Sequence, residues 1–215
     1  MKFCLSLENQ FTDLLGVGLI PVTEEKKALF HKLINSSAFF IERSFAEYRP
    51  RFKQIIPYCV LKWQDKILTY QRRSDHTEER LAQCWSIGFG GHIDPRDVKN
   101  FRCCSSFSQK VLSTAIFREL NEELGFPLDL FQNLSTTITL KFFLNLEDES
   151  LVEQVHFGAV YLIDLKFESL PVFQPQDNEI LDYKWQNFNS LCVRSLDLYE
   201  NWSKRILLIN DFSEI

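Results

Sequence analysis

The period of the hydrophobic pattern changes several times along the chain, and each change marks an element. Residues 1 to 22 show no clear periodicity and are expected to form a short extended arm ending after Pro21. From Thr23, a helix-capping residue followed by Glu24 and Glu25, the pattern turns helical, with Ala28, Leu29, Leu33 and Ile34 on one side. Asn35, Ser36 and Ser37 interrupt it, and FFIERSFAEY is expected to resume a helix before Pro50. The runs IIPYCVLKW (55–63) and KILTYQR (66–72) flank Gln64-Asp65, which predicts strand, tight turn and strand. Pro57 places the first of these at a sheet edge or at a bulge. CWSIGFGG reads as a short strand running into glycines, and 94–108 as a loop. Residues 109–124 read as a helix stopped by Gly125 and Pro127. Two long β-rich runs, LSTTITLKFFLNL and QVHFGAVYLIDLKF, are joined by an acidic turn at 147–150, and LDYKWQNF adds another strand. A final helix is expected from about Leu196 to Ile209, where Leu198, Trp202, Ile206 and Ile209 keep helical spacing. Mixed strands with two or three helices predict an α+β or layered α/β/α domain.

A chain of 215 residues buries a substantial core in one or two domains. The 20 phenylalanines indicate an aromatic-rich core, and the net charge of -5 gives no reason to expect bulk binding of nucleic acid or an anionic membrane. A phosphorylated ligand would need local cations. Six scattered cysteines without a C-x-x-C pair are expected to be reduced thiols in a cytoplasmic setting. The N-terminal stretch is too interrupted by polar residues for a signal peptide, and no run approaches the roughly 18 apolar residues that span a bilayer.

The chemistry concentrates in AIFRELNEELGF, Ala115 to Phe126. At helical spacing Glu119, Glu122 and Glu123 project from one face, while Ile116, Leu120 and Leu124 form a neighbouring apolar stripe. Like charges so spaced repel by a few tenths of a kcal/mol per pair, a penalty a divalent cation removes. Taken alone, the pattern admits both a solvated acidic face and a magnesium site, Mg²⁺ being a hard ion that favours carboxylates, water and phosphate oxygens. Arg118, four residues before Glu122, could fix that carboxylate. Upstream, GFGGHIDPRD (88–97) is a glycine-rich turn whose backbone can approach a partner closely.

Together these segments resemble the two halves of the Nudix box. R-E-L-N-E-E-L-G-F matches its helical half, and Gly91 with Asp97 six positions later resembles its glycine half. The runs KQIIPYCVL, the glutamate-arginine-leucine at 79–81, WSIGFGGHID and VHFGAVYLIDL extend the resemblance across about residues 40 to 205. It implies an α/β fold, a Nudix-type α/β/α sandwich with a mixed sheet. Residues 1–50 are then an N-terminal arm and helical extension, and 51–215 the hydrolase domain. It further implies Mg²⁺- or Mn²⁺-dependent hydrolysis of a diphosphate bond in a nucleoside diphosphate-linked or related small phosphorylated substrate. The metal carboxylates would be Glu119, Glu122 and Glu123, with the Gly91 carbonyl as a further ligand. Glu119 and Glu122 would have catalytic roles and Arg118 would orient the carboxylates. A homodimer supported by the N-terminal arm is compatible with the family.

Two features depart from the family pattern. Asp97 stands where glutamate is expected, leaving open whether it binds metal or supports a ligand. The 20 residues between Asp97 and Arg118 exceed the family spacing, so an insertion within 98–110 is expected to loop out. His92 and His156 read as structural hydrogen-bonding or packing residues, and Trp85 and Phe89 as core. Arg72, Arg73, Arg80 and Arg96 are candidate local cations, and Glu153 and Glu179 candidate additional acids. Two other functions compete with hydrolysis. A non-catalytic Nudix-fold nucleotide or phosphosugar sensor would often lose box glutamates, all of which are present here. An allylic diphosphate isomerase would need an active-site cysteine, for which Cys84 lacks the surroundings.

Overall fold

The computed structural model describes residues 1–72, 84–98, 106–126, 138–147, 150–175, 180–192 and 196–209. The expectations for Arg73, Arg80, Glu179 and the 79–81 segment fall outside these residues. Among the described residues there are ten strands, β1 (Phe3–Glu8), β2 (Gly18–Pro21), β3 (Phe39–Glu42), β4 (Phe52–Trp63), β5 (Lys66–Arg72), β6 (Trp85–Ser86), β7 (Gly88–Phe89), β8 (Ile138–Asn145), β9 (His156–Asp164) and β10 (Ile180–Asn187), together with helices. The helices are α1 (Asn9–Thr12), α2 (Glu24–Ser37), α3 (Arg43–Ala46), α4 (Phe107–Leu124), α5 (Leu151–Gln154), α6 (Phe188–Cys192) and α7 (Asn201–Leu207). The residues gather into two compact units whose boundaries cut β4, α4, β8 and β9.

The first unit comprises Met1–Tyr58, Gly90–Arg118 and Leu140–Tyr161. Its strands run in the order β3, β1, β4, β9, β8, β2. Phe30 of α2 packs on Phe143 of β8 at 4.8 Å and Phe157 of β9 at 5.9 Å between ring centroids, placing the helix against the sheet. Leu33 and Ile34 are buried on the expected face of α2 and Phe30 joins them, whereas Leu29 is half-buried and Ala28 exposed. The extended arm is in fact β1, hydrogen-bonded to β3 and β4, and Phe39–Glu42 is a strand rather than a resumed helix. Local helix propensity there gives way to pairing with β1 in register Phe3↔Glu42 to Ser6↔Phe39. Pro57 lies on neither an edge strand nor the start of its strand. It falls between the β1 pairing, which ends at Gln54, and the β7 pairing at Cys59, where the ladder does not need its missing N–H.

The second unit comprises Cys59–Phe89, Glu119–Thr139 and Leu162–Ile215. Here β5 lies between β10 and the end of β4, with β6 on β5 and β7 on β4. Gln64 takes a positive φ of 54° in the expected tight turn. Phe89 stacks on Tyr70 at 4.5 Å in the core. The C-terminal segment is not one helix: a 3-10 turn at Leu196–Leu198 precedes α7. The break comes from Glu200, whose carboxylate caps α7 by accepting from the Trp202 and Ser203 amides.

Gln54 N–H donates to Val155 O, and Leu165 N–H to Lys62 O, at 2.8 and 2.7 Å. Both strands advance together between these bonds, so β4 and β9 run parallel while the other registered pairs are antiparallel. The sheet is therefore mixed, as an α/β fold of this type requires.

Candidate active site

In the first unit, the glycine turn is held by close contact and by charge. Gly90 lies so near β4 that a Cβ there would stand 1.9 Å from the Pro57 carbonyl oxygen, so only glycine fits. The chain then passes Gly91 and His92 into a 3-10 turn at Pro95–Val98. Asp97, with a side chain only 1% exposed, accepts from Arg118 Nε at 2.9 Å and Nη2 at 3.0 Å, and from the Asp94 amide at 2.9 Å. Such a two-pronged arginine–carboxylate pair fixes orientation as well as charge. Arg118 Nη2 also donates to the His92 carbonyl at 2.9 Å, tying α4 to the turn. The missing methylene at Asp97 is thus accommodated by a buried ion pair with the box arginine.

His92 and His156 meet, Nε2 to Nε2, at 3.2 Å. Burial pushes the His92 ring well below the usual histidine range, and the nearby His156, Arg43, Arg118 and Lys2 push it further, so it is neutral at pH 7. Nothing in the sequence signals this pair, because its members are 64 residues apart. Glu153, a candidate extra acid, accepts from the Ser150 amide and hydroxyl in a capping box that starts α5.

Helix α4 starts at Phe107, earlier than expected, because its first turn finds partners. Ser108 N–H donates to Asn35 Oδ1 at 2.8 Å, and the Ser106 hydroxyl accepts from the Gln109 amide. Part of the expected insertion 98–110 is therefore helix, and residues 99–105 lie outside the described ones.

The second unit holds the acidic turns of α4. Leu120 and Leu124 are buried, Glu119 and Glu123 half-buried, and Glu122 exposed. Gly125, at φ 63°, ends the helix, its amide donating to Asn121 O and the Phe126 amide to Leu120 O. Glu123 Oε2 is screened from solvent. Cys59 of β4 senses both half-buried acids: burial raises its thiol well above the usual range, and Glu123 and Glu119 raise it further. Both carboxylates thus bear electrostatically on the same buried thiol. Among the described residues no three His, Cys, Asp or Glu side chains are gathered closely enough to hold a metal. The donor chemistry nevertheless fits Mg²⁺, which binds through one or two carboxylates plus water and substrate phosphate rather than through an all-protein cage.

Trp85 is half-buried, with Lys184 Nζ 3.8 Å from its ring centroid. Exposed Arg96 pairs with Asp94, and Cys84 is half-buried.

The NUDIX domain model matches residues 55–208. Protein YmaB of Bacillus subtilis (strain 168) is 32% identical over 170 residues, covering 78% of this chain and 75% of that protein. Among solved structures, Tm1382, assigned to the Nudix hydrolases, is similar with a TM-score of 0.67 at 21% identity, covering 97% of each chain. A bifunctional NMN adenylyltransferase/ADP ribose pyrophosphatase from Francisella tularensis, complexed with AMP and a Mn ion, is similar with a TM-score of 0.51 at 22% identity. That likeness covers 73% of this chain and 40% of the other.

Proposed function

The chain belongs to the Nudix family, and from that membership we propose that it hydrolyses a diphosphate bond in a nucleoside diphosphate-linked or related small phosphorylated substrate. The observation that carries the proposal is that all three box glutamates stand on one helix, within a family match running from β4 to α7. The F. tularensis relative, complexed with AMP and a Mn ion, supports both the nucleotide character of the substrate and a divalent metal.

In this reading Mg²⁺ or Mn²⁺ would be held by one or two of the carboxylates of Glu119, Glu122 and Glu123, with water and substrate phosphate completing its sphere. When bound, the metal neutralises phosphate charge and lowers the pKa of a water. Glu119, half-buried, and Glu122, exposed, act on the reacting groups. Arg118 orients the helix by its grip on Asp97 and His92, and Asp97 serves as the anchor of that grip. Residues 1–50 act as an extension that adds β1 to β4 and packs α2 beside the start of α4. The buried, unbridged thiols of Cys4 and Cys59 support a reducing, cytoplasmic setting. No helix among the described residues is long and apolar enough to cross a membrane.

The test is a panel of dinucleotide, nucleoside diphosphate-sugar and nucleoside triphosphate substrates with Mg²⁺ and Mn²⁺, with products read by mass. Metal-dependent release of a nucleoside monophosphate or a phosphorylated fragment is expected. Ligand-induced thermal stabilisation without turnover across the panel would favour a sensor instead.

A further inference from the structure

In the second unit, residues 166–175 leave β9 as a strap without regular structure. Cross-strand pairing puts Trp63, Tyr183 and Trp185 on one face of the sheet, and each donates to a different carbonyl of that strap. Trp63 Nε1 donates to Phe167 O at 3.0 Å, Trp185 Nε1 to Pro171 O at 2.9 Å, and Tyr183 Oη to Phe173 O at 2.6 Å. Apolar burial adds one residue: Leu170 and Val172 are 42% and 80% exposed, and of residues 166–175 Phe173 alone is buried.

The Phe173 ring stacks on Phe126 at 5.2 Å between centroids and lies 6.2 Å from Trp185. Phe126 is fully buried just beyond the last turn of α4. Its amide donates to Leu120 O at 3.4 Å, and its carbonyl accepts from Asn121 Nδ2 at 2.9 Å. Residues 121–126 therefore form a closed turn that contains Glu122 and Glu123. Three fixed donors set the course of the strap, and the strap delivers one ring to the residue that closes the glutamate turn.

We propose that Phe173 is a positioning residue: through its stack on Phe126 it fixes the turn 121–126, and with it the places of the Glu122 and Glu123 carboxylates. This inference rests on the reading of these glutamates as the metal site. The competing role is core filling, in which Phe173 adds stability and leaves the turn as it is.

Two variants separate the roles. Phe173→Leu keeps an apolar side chain and loses the ring. Trp63→Phe removes the donor to Phe167 and leaves both rings of the Phe173–Phe126 stack. Amide hydrogen exchange is followed in the metal-free full chain, and Mn²⁺ alone is titrated into it and followed by electron paramagnetic resonance.

In Phe173→Leu the Gly125 and Phe126 amides are expected to exchange about tenfold or more faster relative to those of β5, and Mn²⁺ to bind about tenfold or more weakly. Trp63→Phe is expected to change either quantity by no more than about threefold. A core-filling ring lowers protection everywhere alike. Exchange at Gly125 and Phe126 that merely follows β5 in Phe173→Leu, or Mn²⁺ binding no weaker than in Trp63→Phe, therefore overturns the proposal. If Phe173→Leu fails to fold, Phe173→Met, which fills the space with a flexible chain, is judged by the same two readouts. A wild type that binds Mn²⁺ but hydrolyses nothing defeats the proposed activity and leaves this test standing. A wild type that binds no Mn²⁺ defeats both.

Discussion

The two halves of the box are built on opposite electrostatic plans. In the glycine half, Asp97 is paired with Arg118 at the start of the helical half, and the His92 and His156 rings meet at 3.2 Å. In the helical half, like charges are brought together, with Glu119 and Glu123 both bearing on the buried Cys59 thiol. Opposite charges brought together make a scaffold, whereas like charges kept together are stable only at a cost that a cation offsets. On the proposed function, the paired side supplies rigidity and the acidic side chemistry, so substitutions in each should fail in different ways.

The largest loss of stability is expected on the scaffold side. Asp97→Ala leaves the Arg118 guanidinium, 16% exposed, without its carboxylate and should cost about 3–5 kcal/mol in urea denaturation, as for other broken buried pairs. A loss below about 1 kcal/mol would mean the pair is not the anchor. Gly90→Ala drives a methyl into the Pro57 carbonyl and should cost about 1–3 kcal/mol, read as a lower melting temperature. An unchanged melt would show that the turn can yield.

Acid should loosen the same unit more gradually. Burial lowers the pKa of His92 and of His31, and Lys27 lowers that of His31 further. Between their folded pKa values and the unfolded value of about 6.5, the unfolded chain binds more protons than the folded one. The stability contributed by the neutral rings is therefore complete above about pH 6.5 and declines as pH falls below it. Melting temperatures recorded from pH 8 to pH 5 should fall on the acid side, and a flat profile would contradict the burial of these rings.

What could be read in advance divides along similar lines. β5, the Gln64-Asp65 turn and the glutamate face of α4 follow from short-range pattern, and the structure contains them. Elements decided by distant partners were not legible. Phe39–Glu42 has all four residues half-buried and no alternation, and it becomes a strand only because β1 pairs with it. The early start of α4 depends on Asn35, 73 residues away, and the histidine pair on a contact across 64. The helical spacing after Leu196 was real, but spacing alone does not reveal that Glu200 folds back to cap a new helix. Asp97 shows the same limit: a motif records residue type, and only the fold shows which cation the carboxylate meets.

The central claim is that the glutamates of α4 exist for metal-dependent hydrolysis rather than for stability. The most direct test is Glu122→Gln, assayed with Mg²⁺ on the substrate found in the panel and compared with wild type for melting temperature and far-ultraviolet circular dichroism. The account predicts a fall in kcat/KM of about 100-fold or more, equivalent to about 2.7 kcal/mol of transition-state stabilisation, with the fold and melting temperature unchanged. Full activity in Glu122→Gln, and equally in Glu123→Gln, would contradict it.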